Sequence, residues 1–112
     1  MKFQRYDLVL ALYPFTDLTS AKRRPVVIIA DLEGNNVIAC QITTKKHSLE
    51  KYSLSLLKSQ CIGDIRFNSF ICVDLITTLH RSLIFKKIGA IKDEKVREEL
   101  NLKLKETLFP NN

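Results

Sequence analysis

Long apolar runs are missing from this sequence. The longest are LVLALY (residues 8–13) and VVIIA (residues 26–30), and a helix needs roughly 20 apolar residues to cross a bilayer. LVLALY follows Lys2 and Arg5 as the apolar stretch of a secretory signal would. However, Asp7 precedes it, Pro14 ends it, and no small-residue cleavage site follows. The expectation is a soluble, cytoplasmic protein with no membrane partner. Metal-ligating residues are scarce too. His47 and His80 lie far apart, and neither is spaced with a cysteine as zinc ligands are. Cys40, Cys61 and Cys72 are odd in number and form no C-x-x-C pair. Cys40 and Cys72 fall inside apolar runs, as small buried hydrophobes in a reducing compartment do. No metal and no other cofactor is expected. Aromatics make up only 8% of the chain, so few are available for base stacking. Tyr13 and Phe15, flanking Pro14, are candidates, whereas Phe67 and Phe70 read as core. No internal repeat or low-complexity segment occurs.

What is present is an ordinary globular balance, with 46% hydrophobic and 27% charged residues in 112, suited to one domain over 1–112. The formal net charge of +6 favours a polyanionic partner, nucleic acid before an acidic membrane. That charge is unevenly placed. Residues 92–108 hold five cations and five anions, so the whole excess belongs to residues 1–91. It clusters in Lys22-Arg23-Arg24, Lys45-Lys46, Arg81 and Lys86-Lys87.

The pattern predicts strands over 5–13, 25–31, 37–43, 68–80 and 81–91. Loops are expected at 14–24 and 44–52, and a turn at 32–36 joins 25–31 and 37–43 into a hairpin. Residues 52–64 are expected to hold a short strand, 52–56, and one helical turn. KDEKVREELNLKLKETLF (92–109) is the clear helix. Val96, Leu100, Leu104 and Leu108 recur at four-residue steps, Asp93 and Glu94 favour its first turn, and Pro110 stops it. Strands first and one helix last give an α+β protein that is mostly β. The expected form is a small barrel of strongly curved antiparallel strands with the C-terminal helix packed against it. Loops at one end of such a barrel converge, which makes a basic mouth.

Arg24 is the first candidate for chemistry at that mouth. Pro25 restricts the residue before it to extended conformations, and a guanidinium offers a planar fork of donors to phosphate. The alternative is that Arg24 only pairs with an acid such as Asp17 or Asp74. Thr43 and Thr44 end the hairpin's second strand, close to Arg24, where hydroxyls and backbone N–H groups can hold a phosphate oxygen. The alternative for each is plain β propensity. His47 and His80 titrate near neutrality, as an acid–base pair for RNA cleavage must; solvated surface histidines fit equally. Asp74 suits either orientation of a cation or a buried structural pair.

The series YDLVLALYPFTDLTSAKRRPVVII (6–29), CQITT (40–44) and SFICVDLITTLHRSLIFKKIGAI (69–91) resembles the PemK/MazF-like toxin family, over roughly residues 5–104. The resemblance implies an SH3-like barrel and a toxin–antitoxin endoribonuclease that cleaves single-stranded RNA without metal. In it the ribose 2′-OH attacks the adjacent phosphate and a 2′,3′-cyclic phosphate results. It assigns catalysis to Arg24, Thr43 and Asp74. Lys22, Arg23, Thr44, Lys45, Lys46, His80 and Arg81 are then expected to grip RNA. A homodimer and a cognate acidic antitoxin are the implied partners. Three departures stand out. Tyr6-Asp7 replaces the usual Gly-Asp, Cys72 stands where many members have arginine, and His80 stands where many have aspartate. The loss of that arginine leaves a second reading open, a weak or inactive barrel that binds RNA or a protein such as gyrase.

Overall fold

A computed structural model describes residues 2–13, 22–46 and 49–111. In chain order it has β1 (Asp7–Tyr13), β2 (Lys22–Asp31), β3 (Asn36–Thr43), β4 (Ser53–Leu56), β5 (Cys61–Gly63), β6 (Ser69–His80), β7 (Ile84–Ile91) and helix α1 (Glu94–Leu108). Single 3₁₀ turns precede β4, β5 and β7. The strands form one sheet in the order β4-β6-β3-β2-β1-β7-β5, antiparallel at every junction. The sheet curves strongly without closing by hydrogen bonds, because β4 and β5 remain its two edges.

Four irregularities among the described residues supply curvature, since an extra residue on one strand bends it and raises its twist. β1 slips against β7 twice, and β2 slips against β3 between Ile28 and Ala30. The largest lies in β6, where Gln41 pairs with Cys72 and the adjacent Cys40 pairs with Ile76. Val73, Asp74 and Leu75 therefore face no β3 residue, and only Val73 turns into the core. Close approach of β5 to β7 needs two glycines. Gly63 and Gly89 are register partners, and a side chain on either would strike the other strand's backbone.

Alternation of side chains divides the interior into two clusters. Leu8, Val27, Cys40, Ile42, Leu54, Ile71 and Val73 pack beneath α1, meeting Val96, Leu100 and Leu104. Val9, Ala11, Val26, Ile28, Val37 and Ala39 pack on the other side with Phe3, Leu79 and Ile84. The helix begins on Asp93, whose carboxylate accepts the Val96 N–H at 3.0 Å. Its predicted four-step stripe is buried through Leu104, but Leu108 is exposed.

The expected strands and hairpin are present, with three differences. β2 starts at Lys22, so the three cations lie on a strand and not in a loop. Its first residues pair with Leu12 and Tyr13 of β1, and that pairing outweighs their poor β propensity. β5 was not expected; three residues carry too little pattern to see. Residues 81–83 form a 3₁₀ turn, not the start of β7.

Candidate active site

Pro25 sits where two ladders diverge. Toward β1 the pairing runs on through Leu10↔Pro25 and Ala11↔Arg24 to Tyr13↔Lys22. Toward β3 it stops at Val26↔Gln41. A proline has no N–H to donate, so the β2–β3 ladder ends at this residue. Continuing its register by two positions puts Arg24 opposite Thr43, on one face of the sheet. Both residues thus lie past the last β2–β3 pair, with Arg24 still paired to Ala11 of β1 and Thr43 to Phe70 of β6.

Both residues line a cavity of about 640 Å³. Thr44 and Lys45 line it as well, together with Arg66 and Lys86. Its apolar lining includes Leu10, Ile42, Leu56, Ile65 and Ile88. Arg24 is exposed and Thr43 half-buried. The Thr43 Oγ1 accepts the Lys45 N–H at 3.2 Å, which fixes the hydroxyl oxygen and leaves its proton to be donated. Four cations line the cavity against one carboxylate, Asp64. Asp64 lies 3.5 Å from Arg66 Nε with both groups exposed, so it offsets little of the positive field.

The other expected site residues lie elsewhere. Lys22 and Arg23 are exposed on β2, and the Arg23 guanidinium stacks 3.9 Å above the Phe85 ring. Lys46 lies 3.9 Å from Glu50, both well exposed. Asp74 is exposed in the β6 bulge and does not line the cavity. Cys72 is buried, and burial pushes its thiol up from the usual value. His80 and Arg81 are not at this end of the sheet. His80 pairs with Asn36 at the start of β3, seven residues and roughly 23 Å of strand from Thr43. There the Arg81 guanidinium grips Asp31 at 2.7 and 3.0 Å and donates to the Leu32 and Gly34 carbonyls. Phe15, Asp17 and His47, and the side chain of Tyr13, lie outside the described residues.

Three residues join the cavity without having been singled out for it. Phe67, expected in the core, is 70% exposed at its rim. Arg66 precedes it. Gln41 lines the cavity with its Oε1 buried and without a hydrogen-bond partner. The sequence carried no signal for the exposure of Phe67, since Ile65 two residues earlier makes it look like part of an alternating apolar pair. Among the described residues, no three of His, Cys, Asp and Glu gather as metal ligands do.

A strongly curved, mostly antiparallel sheet carrying one C-terminal helix is the fold of the MazF-like toxins. Three solved structures share it over almost the whole chain. One is an endoribonuclease in complex with its cognate antitoxin from a mycobacterial species (14% identity, 99% of each chain, TM-score 0.76). Another is a MazF toxin of Mycobacterium tuberculosis (16% identity, 95% of this chain and 99% of that one, TM-score 0.73). A third is a MazE–MazF complex from Deinococcus radiodurans (17% identity, 95% of each chain, TM-score 0.70). No curated protein sequence matches the chain. Residues 4–108 match the PemK-like, MazF-like toxins of type II toxin–antitoxin systems, and the chain belongs to that family, whose members are endoribonucleases.

Proposed function

We propose that the chain is a metal-independent endoribonuclease that cuts single-stranded RNA at the cavity shared by Arg24 and Thr43. The observation that supports this most is that those two residues line one cavity, just past the last β2–β3 pair, Val26↔Gln41. In the reaction the ribose 2′-OH gives up its proton to solvent and attacks phosphorus, the bond from phosphorus to the 5′ oxygen breaks, and the departing oxygen takes up a proton, so that none is gained or lost overall. A 2′,3′-cyclic phosphate and a 5′-OH result. The charge that grows on the nonbridging oxygens needs fixed donors. Arg24 supplies a cation that stays protonated at any working pH, and the Thr43 hydroxyl supplies a neutral donor. Lys45, Lys86 and Arg66 draw the flanking phosphates to the cavity.

The partners follow the same charge logic. A cognate antitoxin with an acidic segment fits a cavity with four cations on its lining. A homodimer is favoured by apolar surface on α1 and at its end, where Leu102 and Leu108 on the helix and Phe109 just past it are all exposed. Three unpaired, buried cysteines suit a reducing, cytoplasmic setting, and no described helix is long and apolar enough to cross a membrane. One domain over 1–112 accords with strands from the whole chain sharing one sheet.

A second reading is favoured by Cys72 and Asp74. With the thiol buried and the carboxylate outside the cavity, the described lining holds no carboxylate or imidazole beside Arg24 except Asp64. A barrel that binds RNA or a protein partner without cutting fits that arrangement. The two readings part on one assay: purified protein, an unstructured RNA and EDTA. Fragments ending in cyclic phosphate support the nuclease, and retention of intact RNA supports the binding module.

A further inference from the structure

Two features of the cavity take no part in the phosphate chemistry. One is an aromatic ring, Phe67, held in water at the rim with 70% of its surface exposed. A phenylalanine gains nothing from such a position in the free protein. The other is the Gln41 Oε1, buried and without a partner among the described residues. An unmet buried acceptor is costly, and such atoms are rare enough in folded proteins that each calls for a reason. Turning this carboxamide toward a ligand breaks no hydrogen bond at its oxygen. The cavity that both line also presents apolar surface from Leu10, Ile42, Leu56, Ile65 and Ile88, which suits a flat ring and not a phosphate.

We propose that the cavity seats one unstacked nucleobase of the RNA, stacked on Phe67 and held along its edge by the Gln41 carboxamide. The proposal rests on the nuclease reading of the same cavity and adds the base-reading residues to it. Single-stranded bases are recognised by stacking on aromatic rings and by hydrogen bonds to their edges. Arg66, next to Phe67, adds a cation for the phosphate that follows the seated base. Gln41 lies two residues from Thr43 on the same face of β3, so the base belongs to a nucleotide adjoining the cut phosphate. Because Oε1 only accepts, the seated edge presents an N–H, such as an exocyclic amine. An edge offering only acceptors leaves Oε1 unmet.

The test measures binding of single-stranded oligoribonucleotides methylated at every 2′ oxygen, which lack the attacking hydroxyl, so affinity is read apart from cleavage. Each position is varied among the four bases and an abasic linker. In the parent protein one position should lose about tenfold or more in affinity when abasic, the scale of one stacked base. In Phe67→Ala that penalty should vanish, while Phe67→Trp should retain it. Gln41→Leu should melt at or above the parent temperature, since the unmet acceptor is gone, yet lose discrimination among bases at that position. An abasic penalty at no position, a penalty unchanged in Phe67→Ala, or a base preference unchanged in Gln41→Leu overturns the proposal. If the parent nevertheless cleaves natural RNA, only the base subsite falls. If the penalties are as expected but natural RNA stays intact, the subsite stands and the nuclease reading falls.

Discussion

Arg81 reaches back across fifty residues to hold Asp31 with two nitrogens, at 2.7 and 3.0 Å. The same carboxylate accepts the Phe3 N–H at 2.6 Å. One ion pair thus ties the chain start, the β2–β3 turn and the entry to β7 together, at the end of the sheet away from the cavity. A basic residue that resembles part of an RNA grip is engaged in holding the fold.

This pair predicts a pH dependence. The Arg81 guanidinium, then the Phe3 N–H, hold Asp31 down from 3.8 to about 2. A depressed carboxyl stabilises the folded state above its unfolded pKa and loses that effect as pH falls through its folded one. The Asp31 contribution should therefore be complete above about pH 4 and gone near pH 2. Asp31→Asn should melt below the parent at pH 7, with the gap closing between pH 4 and pH 2. A gap that stays constant over that range contradicts the assignment.

Tyr6 carries a different kind of test. Its φ of 77° lies in the left-handed region, which costs a residue with a Cβ roughly 1–2 kcal/mol. Its backbone N–H donates to the Ile28 carbonyl and its own carbonyl accepts from Ile91, so the conformation is locked. The side chain offsets the strain. Its ring lies 4.6 Å from the Arg97 guanidinium, and its hydroxyl meets Asn101 at 2.9 and 3.1 Å. The Gly-Asp usual in the family at this position is thereby explained: glycine adopts this φ at no steric cost. Tyr6→Ala keeps the strain and loses the contacts, whereas Tyr6→Gly loses both. Thermal melts should place Tyr6→Gly above Tyr6→Ala by about 1 kcal/mol. The reverse order contradicts the strain account.

The thiols should be inert in the folded protein. Burial pushes Cys40 up to about 12, with Cys61 and Cys72 also raised chiefly by burial. Thiolates are the reactive form. Mass spectrometry after alkylation at pH 8 should find Cys40 unlabelled in native protein and labelled in denaturant. Rapid labelling of the native chain would mean that β3 and β6 open far more readily than their packing implies.

Most of the architecture was legible because burial patterns report it directly. Val26–Ile28 read as a strand and are wholly buried, and Val96, Leu100 and Leu104 read as a helix stripe and pack on the sheet. The site was legible only in part. Arg24 and Thr43 could be put at one end of the sheet because a hairpin brings the start of its first strand near the end of its second, and both line the cavity; the slip between Ile28 and Ala30 was not legible. Asp74 falls within the three-residue slip of β6, which no residue in SFICVDLITTLH announces, whereas His80 and Arg81 lie far from the cavity because β6 runs antiparallel to β3, with Phe70 at Thr43 and His80 at Asn36. Phe67 was taken for core because hydrophobicity says nothing of which side of a loop faces water.

The most direct test replaces Arg24 and Thr43 one at a time and measures cleavage of an unstructured RNA in EDTA alongside thermal melting. Arg24 is exposed on its strand, so Arg24→Ala should melt near the parent temperature while cleavage falls by about 10²–10³-fold or more, the scale of losing one fixed transition-state donor. Thr43→Val should also lose cleavage with little change in melting. Parent-like cleavage by a folded Arg24→Ala protein would contradict the site at its centre.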